Sequence, residues 1–333
     1  MSTPDFSFLQ AALVEAKRGV GRTSPNPAVG AVIVRDEEII GSGWHRRAGL
    51  AHAEVEALAS LPDRSLARGT TLYVTLEPCS TPGRTPPCTE AILEAGIRRV
   101  VIGTLDPNPA HAGRGVEILR AAGVEVTVVE MDECRRLNLA FNHWIVTRMP
   151  WVIAKAGMSL NGRLVRPSGG WITNKTSRAD AHQLRAQVDA ILIGGGTIRA
   201  DNPQLTVRGV PMEDRPQPWR VVVSRSGNLP PESTVFTDEY RDRTLVFTGL
   251  SLREVLAELG RREITSVMIE GGIQMLGMAF DERLVNQICF YIAPLLLGGT
   301  STFSTIASPQ IINPNYERFG DDVRVTGEVV YPG

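Results

Sequence analysis

Hydrophobic and polar positions follow two different periods along this chain, and the points where the period switches mark its elements. Val29 to Val34 and Glu38 to Ser42 read as β-strands joined by a polar turn at Asp36 and Glu37. A helix starts near His52 in HAEVEALASL, and TLYVTL at 71–76 reads as the next strand. A helix near Thr89 to Ala95, the strand RRVVIG, a helix near Val116 to Ala122 and the strand VEVTVV continue the series. Such alternation predicts a mostly parallel sheet with helices on its faces, because parallel neighbours need a helical crossover between them.

The segment from Asp132 to Arg148 is helical in period, and Pro150 ends it, since the residue before a proline is driven out of the α region. A fresh strand opens at WVIAKAGMS, which puts a domain boundary near Arg148 to Trp151 and predicts domains at 1–148 and 149–333. The second again alternates. A helix around Arg178 to Val188 precedes the strands DAILIGGG, RVVVS and TLVFT; a helix at Leu252 to Leu259 precedes SVMIEGG and QICFYIAP. Two α/β domains are therefore expected.

Composition narrows the function. Lys+Arg number 35 and Asp+Glu 36, so the basic excess that phosphate contacts demand of a nucleic-acid binder is missing. A small-molecule substrate is favoured. No apolar run approaches the ~20 residues needed to cross a bilayer, and the N-terminus reads as an amphipathic helix interrupted by Glu15 and Lys17 rather than a signal peptide. Four cysteines are too few for a disulfide scaffold, which points to the cytoplasm.

The chemistry-bearing pattern is His52-Ala53-Glu54 opening a helix, followed by Pro78-Cys79 and then Cys88 in LEPCSTPGRTPPC. One imidazole and two thiolates suit zinc, a borderline-soft ion with tetrahedral preference. Three protein ligands leave a fourth position for water, whose pKa the metal lowers toward ~7, giving a hydroxide nucleophile. Glu54, on the first helical turn, is placed to move protons as a non-ligand. The H-x-E…P-C…C arrangement is the signature of zinc-dependent base deaminases. His45, Cys134 and Cys289 lack metal-ligand spacing, the two cysteines reading as structural, and His111, His143 and His182 read as surface or packed residues.

At these residues the chain resembles the bifunctional riboflavin-biosynthesis family, a pyrimidine deaminase fused to a pyrimidine reductase. PNPAVGAVIV at 25–34, HRRAGLAHAEVEAL at 45–58, TLEPCSTPGRTPPC at 75–88 and DPNPAHAGRG at 106–115 look like its deaminase half. The nine-residue cysteine spacing is more specific than the general signature. The resemblance implies a cytidine-deaminase-like three-layer α/β/α fold, zinc on His52, Cys79 and Cys88, and Glu54 as proton shuttle. It implies that Asn26, His45, Arg84, Asp106 and Asn108 hold the substrate's ring, ribose and phosphate; composition alone would read 106–109 and Asn26 as turns.

KAGMSLNGR at 155–163, WIT at 171–173, LRAQVDAILIGGGTIRADNPQLTVR at 184–208, MIEGG at 268–272 and IAPLLLGG at 292–299 resemble the family's reductase, similar in fold to dihydrofolate reductase. Without the resemblance, the glycine runs at 194–196 and 271–272 say only that backbone there can approach a phosphate. The resemblance implies NADPH contacts at Gly157, Trp171, Thr197, Asp201 and Gly272. It implies substrate contacts at Lys155, Gly169, Arg185, Leu205, Arg208 and Glu270. Two departures stand out: Asn161 where the family usually has aspartate, and a shortened PSGGWIT that replaces a substrate-touching serine with Gly169 or removes it.

The reading is thus a cytoplasmic enzyme, a homo-oligomer (dimer or larger) by family analogy, acting on a phosphoribosyl pyrimidine. It deaminates with zinc and then reduces ribosyl to ribityl with NADPH. Its rivals are a deaminase with an impaired or repurposed reductase, a nucleic-acid adenosine deaminase, and a non-catalytic zinc-stabilised binding module. Neutral charge and the long cysteine loop speak against the adenosine deaminase.

Overall fold

A computed structural model describes residues 3–82, 86–213, 215–299, 302 and 304–332. The chain forms two compact units, Met1–Arg148 and Met149–Gly333.

The first unit runs α1 (Thr3–Lys17), β1 (Gly30–Arg35), β2 (Glu38–Trp44), α2 (Ala53–Ala59), β3 (Thr71–Val74), α3 (Cys88–Glu94), β4 (Arg99–Ile102), α4 (Arg114–Ala121), β5 (Glu125–Val128), α5 (Asp132–Leu137) and α6 (Leu139–Thr147). Its sheet has the order β2-β1-β3-β4-β5. Side chains alternate across the sheet as the pleat requires. Ala31, Ile33, Leu72, Val74, Val100 and Ile102 face α2, α3 and α4, while Val32, Val34, Tyr73 and Val101 face α1 and α5. Three layers result. Asp36 and Glu37 both adopt positive φ (46° and 65°), the left-handed pair that matches a two-residue hairpin to strand twist.

Two expectations need correction here. The sheet is mixed rather than mostly parallel: β3, β4 and β5 run parallel, but β1 is antiparallel to both β2 and β3. The continuous helix expected over Asp132–Arg148 is broken at Asn138. There the buried amide accepts from the Ala28 N–H (2.8 Å) and donates to the Ala28 carbonyl (2.9 Å), pairing like a strand with a residue far away in sequence.

The second unit runs β6 (Trp151–Ser159), α7 (Lys175–Arg185), β7 (Ala190–Gly194), α8 (Gly195–Asp201), β8 (Trp219–Ser224), α9 (Thr234–Thr237), β9 (Thr244–Thr248), α10 (Leu252–Arg261), β10 (Ser266–Glu270), α11 (Ile273–Asp281), β11 (Gln287–Ala293), β12 (Gln310–Phe319) and β13 (Asp322–Val330). The sheet order is β12-β13-β11-β6-β10-β7-β8-β9. One face packs on α10 and α11 through Leu252, Leu256, Leu276 and Phe280. The other packs on α7 and α8 through Ala181 and Ile198. Helix α7 starts at Lys175, earlier than the expected Arg178, because the Asn174 side chain caps it by accepting from the Ser177 N–H. Helices α8 and α11 begin at the glycine turns that follow β7 and β10, as strand-to-helix turns there imply, whereas the short helix α9 and the β12–β13 hairpin were not anticipated.

Candidate metal centre and nucleotide site

Helix α2 lies directly on β2, where a Cβ at Gly43 would come within 2.3 Å of the Ala57 nitrogen. That contact fixes the helix start. His52 is the N-cap residue, extended at φ −79° and ψ 166°, and its side chain makes no capping bond. Its imidazole points instead at two sulfurs: Nδ1 lies 3.5 Å from Cys79 Sγ and 3.3 Å from Cys88 Sγ. The three ligand atoms lie within 4.8 Å of one another. In a tetrahedral site with Zn–N near 2.0 Å and Zn–S near 2.3 Å, nitrogen and sulfur ligands stand about 3.5 Å apart. These side chains already have the spacing of a zinc site.

Electrostatics fit as well. The bond from the Cys88 thiol holds Cys79 down at about 4, with the Cys88 backbone N–H also donating to its sulfur at 3.3 Å. The same bond, with burial, pushes Cys88 up. A cation in the cluster would favour the thiolate of both, since it is the ionised sulfur that ligates. Glu54 is buried among these groups, and burial, followed by the Cys79 charge, raises its carboxyl to about 7. A metal ion would pull it down again.

Around the cluster, His45 is buried with its ring T-shaped against His52 at 5.1 Å. Its Nε2 meets Asn26 Nδ2 at 3.1 Å and its Nδ1 meets the Ala51 carbonyl at 3.0 Å. Asp106 follows β4; burial raises its carboxyl, and the Cys79 charge adds to the effect. Its Oδ1 accepts the Asn108 N–H at 2.9 Å. Asn26 and His45 thus stand beside His52, and Asp106, bonded to Asn108, lies close enough to feel the Cys79 charge, while Arg84 lies outside the described residues. Cys134 and Cys289 are buried and free, with burial pushing their thiols up to about 12 and about 11.

In the second unit, Glu270 ends β10 beside Lys155 of β6, its partner in register. Arg185 of α7 grips Glu270 through Nε (2.6 Å) and a terminal nitrogen (2.8 Å), and Lys155 Nζ stands 3.6 Å away. Burial alone would raise Glu270, but the Lys155 and Arg185 charges outweigh it and leave the carboxyl at about 2. Arg185 also donates to the Thr206 carbonyl (2.8 Å), fastening the segment that carries Leu205, buried at φ +55°, and Arg208. With Arg208 close enough to feel Arg185, three cations face one carboxylate, a surplus that suits a phosphate.

The glycine turns after β7 and β10 stand side by side. Thr197 Oγ1 lies 3.7 and 4.0 Å from where a Cβ on Gly271 and Gly272 would be, and Gly196 has open space. Glycine is the N-cap residue of both helices, with the Met275 side chain packed 3.3 Å from where a Cβ on Gly194 would be. Gly157 faces the Thr173 side chain. Trp171 is exposed and stacked under the Arg178 guanidinium at 4.9 Å, and Gly169 and Asp201 are exposed.

Three residues make contacts that the sequence did not assign to them. His182 Nδ1 accepts the Arg208 N–H (3.1 Å), which requires a neutral ring, and burial with the Arg185 and Arg208 charges lowers it to about 4. Asn161 brackets Leu297, donating to its carbonyl (2.9 Å) and accepting its N–H (3.1 Å), a double role an aspartate does not fill. Glu77 is buried and accepts four backbone N–H groups.

The RibD C-terminal domain model matches residues 150–325, and the cytidine and deoxycytidylate deaminase zinc-binding region model matches residues 2–104. Riboflavin biosynthesis protein RibD of Synechocystis sp. is 44% identical over 86% of this chain and 77% of its own length. RibD of Aquifex aeolicus is 41% identical over 88% of each. Among solved structures, Acinetobacter baumannii RibD superposes with a TM-score of 0.89 at 35% identity, covering 99% of both chains. The diaminohydroxyphosphoribosylaminopyrimidine deaminase/5-amino-6-(5-phosphoribosylamino)uracil reductase of Thermotoga maritima gives 0.87 at 34%, covering 98% of this chain and 99% of its own.

Proposed function

Because the chain belongs to the RibD family of bifunctional riboflavin-biosynthesis enzymes, with a zinc-binding deaminase region and an NADPH-using reductase region, we propose that its chemistry divides between the two units. The first, over 1–148, deaminates a diaminohydroxyphosphoribosylaminopyrimidine; the second, over 149–333, reduces the ribosyl group of the product to ribityl.

The observation that carries this reading is the convergence of His52, Cys79 and Cys88 within 4.8 Å beside a buried carboxyl. These residues would hold zinc, which when bound supplies a water activated at neutral pH. Glu54 is placed to hold and move the protons: it would carry one from the attacking water to the ring nitrogen next to the amino-bearing carbon, and then the remaining hydroxyl proton to the amino group, which leaves as ammonia while the carbonyl forms. Asn26, His45 and Asn108 orient the ring and ribose, with Asp106 at the edge of the same pocket. Arg84 takes the phosphate.

In the second unit Lys155, Arg185 and Arg208 hold the substrate's phosphoribosyl group, and Glu270 keeps the cations in place. The paired glycine turns with Thr197 receive the cofactor's phosphates, alongside Gly157, Trp171, Asp201 and Gly272. NADPH supplies the hydride, and the protein's part is to hold carbon and cofactor in reacting geometry. The same reading carries a homo-oligomer, dimer or larger, in the cytoplasm.

Incubating the purified protein with the diamino substrate and NADPH tests this directly. The expected products are ammonia, the ribitylamino uracil and NADP+. Supplying the deaminated intermediate isolates the second step; no NADPH oxidation on it would refute the assignment of the second unit.

A further inference from the structure

We propose that Glu77 is a positioning residue for deamination: its buried carboxylate clasps the backbone of the 106–116 segment against the strand end that carries Cys79. It thereby sets where Asp106 and Asn108 stand beside the metal cluster. The proposal rests on the deaminase reading of the first unit.

Glu77 lies just beyond β3, two residues before Cys79. Its Oε2 accepts from the N–H groups of Asp106 (3.2 Å) and Gly113 (2.9 Å), and its Oε1 from those of Gly115 (2.9 Å) and Val116 (3.3 Å). The carboxylate therefore ties both ends of the loop at one point and also caps the first turn of α4. Its own N–H donates to the Thr104 carbonyl at 3.0 Å, joining the ends of β3 and β4. All four side-chain bonds use a carboxyl oxygen as acceptor, two at each oxygen.

The glycines of HAGRG fit this clasp. Gly113 turns at φ +79° to aim its N–H at Oε2. A Cβ at Gly115 would meet the Pro78 carbonyl at 2.3 Å and Glu77 Oε1 at 3.1 Å, so the segment lies too close for any side chain. Inside the loop, Asp106 accepts from Asn108 and Asn108 Oδ1 accepts from Ala110 at 3.1 Å, which makes the turn stiff. The other side-chain ties to the segment, Thr81 Oγ1 to His111 Nδ1 (3.3 Å) and the Leu105 N–H to Glu130 (3.4 Å), are longer and single, so releasing the four-bond clasp lets the stiff turn shift.

Glu77→Gln keeps the volume but sets an NH2 against backbone donors. Gly115→Ala pushes the loop off an intact carboxylate. Both are made in the full-length, zinc-loaded chain, reading deaminase KM and kcat, reductase rate, zinc content, and hydrogen exchange at Gly113, Gly115 and Val116. The expected result is a deaminase KM raised about 10- to 100-fold, as for lost outer-shell support of a metal site. The fall in kcat is smaller, zinc is retained, reduction is unchanged, and exchange at those amides is faster. A merely structural role lowers the folded fraction, so kcat falls while KM stays. That pattern, or a KM within twofold of the parent in both variants, overturns the proposal. Should Glu77→Gln lose zinc or its fold, Gly115→Ala decides by the same criterion. A parent protein with no deaminase activity would sink the functional reading instead, and the exchange data would still judge the clasp.

Discussion

The close contact between β2 and α2 beside the metal centre offers a quantitative test at a residue that is no metal ligand. A Cβ added at Gly43 would stand 2.3 Å from the Ala57 nitrogen, 2.6 Å from the Glu56 carbonyl carbon and 2.7 Å from the Ala53 oxygen. All three are backbone atoms of α2, so no side-chain rotation relieves the clash. Ordinary contact begins near 3.4 Å, which requires α2 to retreat from β2 by about 1 Å. Gly43 pairs with Ala31 in the sheet and carries no positive φ, so the backbone term alone would favour alanine by about 0.4–1 kcal/mol. Overpacking costs about 1–3 kcal/mol and wins.

The functional consequence is larger than the stability loss, because α2 begins beside His52 and carries Glu54. Metal–ligand distances tolerate about 0.2 Å, and a misplacement of 1 Å in a reacting geometry costs about 10²-fold. Gly43→Ala should therefore lower zinc affinity and cut deamination about 100-fold while reductase turnover in the same polypeptide is unchanged. Zinc titration and the two activity assays measure this side by side. A variant with parental zinc affinity and a deaminase rate within threefold would refute the claim that the β2–α2 contact sets the metal geometry.

Glu54→Gln should keep zinc and reduction but lower deamination by about 10²–10⁴-fold, the range for a lost proton carrier; retained turnover removes Glu54 from the mechanism. Chelation should abolish deamination and spare NADPH oxidation on the deaminated intermediate; loss of both together would show that the second unit depends on the metal. Glu270→Gln leaves the guanidinium of Arg185 buried without its carboxylate and should destabilise the second unit by about 3 kcal/mol. Because the Glu270 carboxyl is depressed to about 2 from 4.5, its contribution is present above pH ~4.5 and is lost as pH falls toward 2. The gap between urea midpoints of parent and variant should thus be flat from pH 8 to 5 and narrow below about 4.5; narrowing between pH 8 and 6 would contradict the pairing.

What the sequence revealed depended on how locally each feature is determined. The Asp36–Glu37 turn and the strands beside it were legible because a polar pair between apolar runs has few alternatives. The break at Asn138 was not, since the Ala28 backbone that draws it out of the helix lies 110 residues away. The β12–β13 hairpin hid for the opposite reason. Strand β12 is an edge strand exposed along most of its length, so no alternating apolar pattern was needed to form it. Glu77 reads in TLEPC as an ordinary loop-start carboxylate, because its partners are backbone groups that leave no side-chain pattern. The one available signal was the close glycine pair in HAGRG, where one glycine turns left-handed and the other has no room.

The candidate site was more legible than the fold around it, and strand direction explains why. In open α/β sheets ligands gather at the carboxyl ends of the strands, so a reactive motif that directly follows an apolar run is well placed. Cys79 follows β3 and Asp106 follows β4, which run parallel. Strand β1 runs the other way, so its amino end lies at that same edge, and Asn26 comes just before it. Strand β2 reverses direction again, which returns its carboxyl end, and His45, to the edge beside Asn26. The antiparallel pairing of β1 with β3, which the expectation of a mostly parallel sheet missed, is thus what lets a residue before a strand meet residues after strands. The Asn26–His45 contact at 3.1 Å is the direct consequence. Had the sheet been parallel throughout, Asn26 would stand at the far edge, a strand's length from the sulfurs.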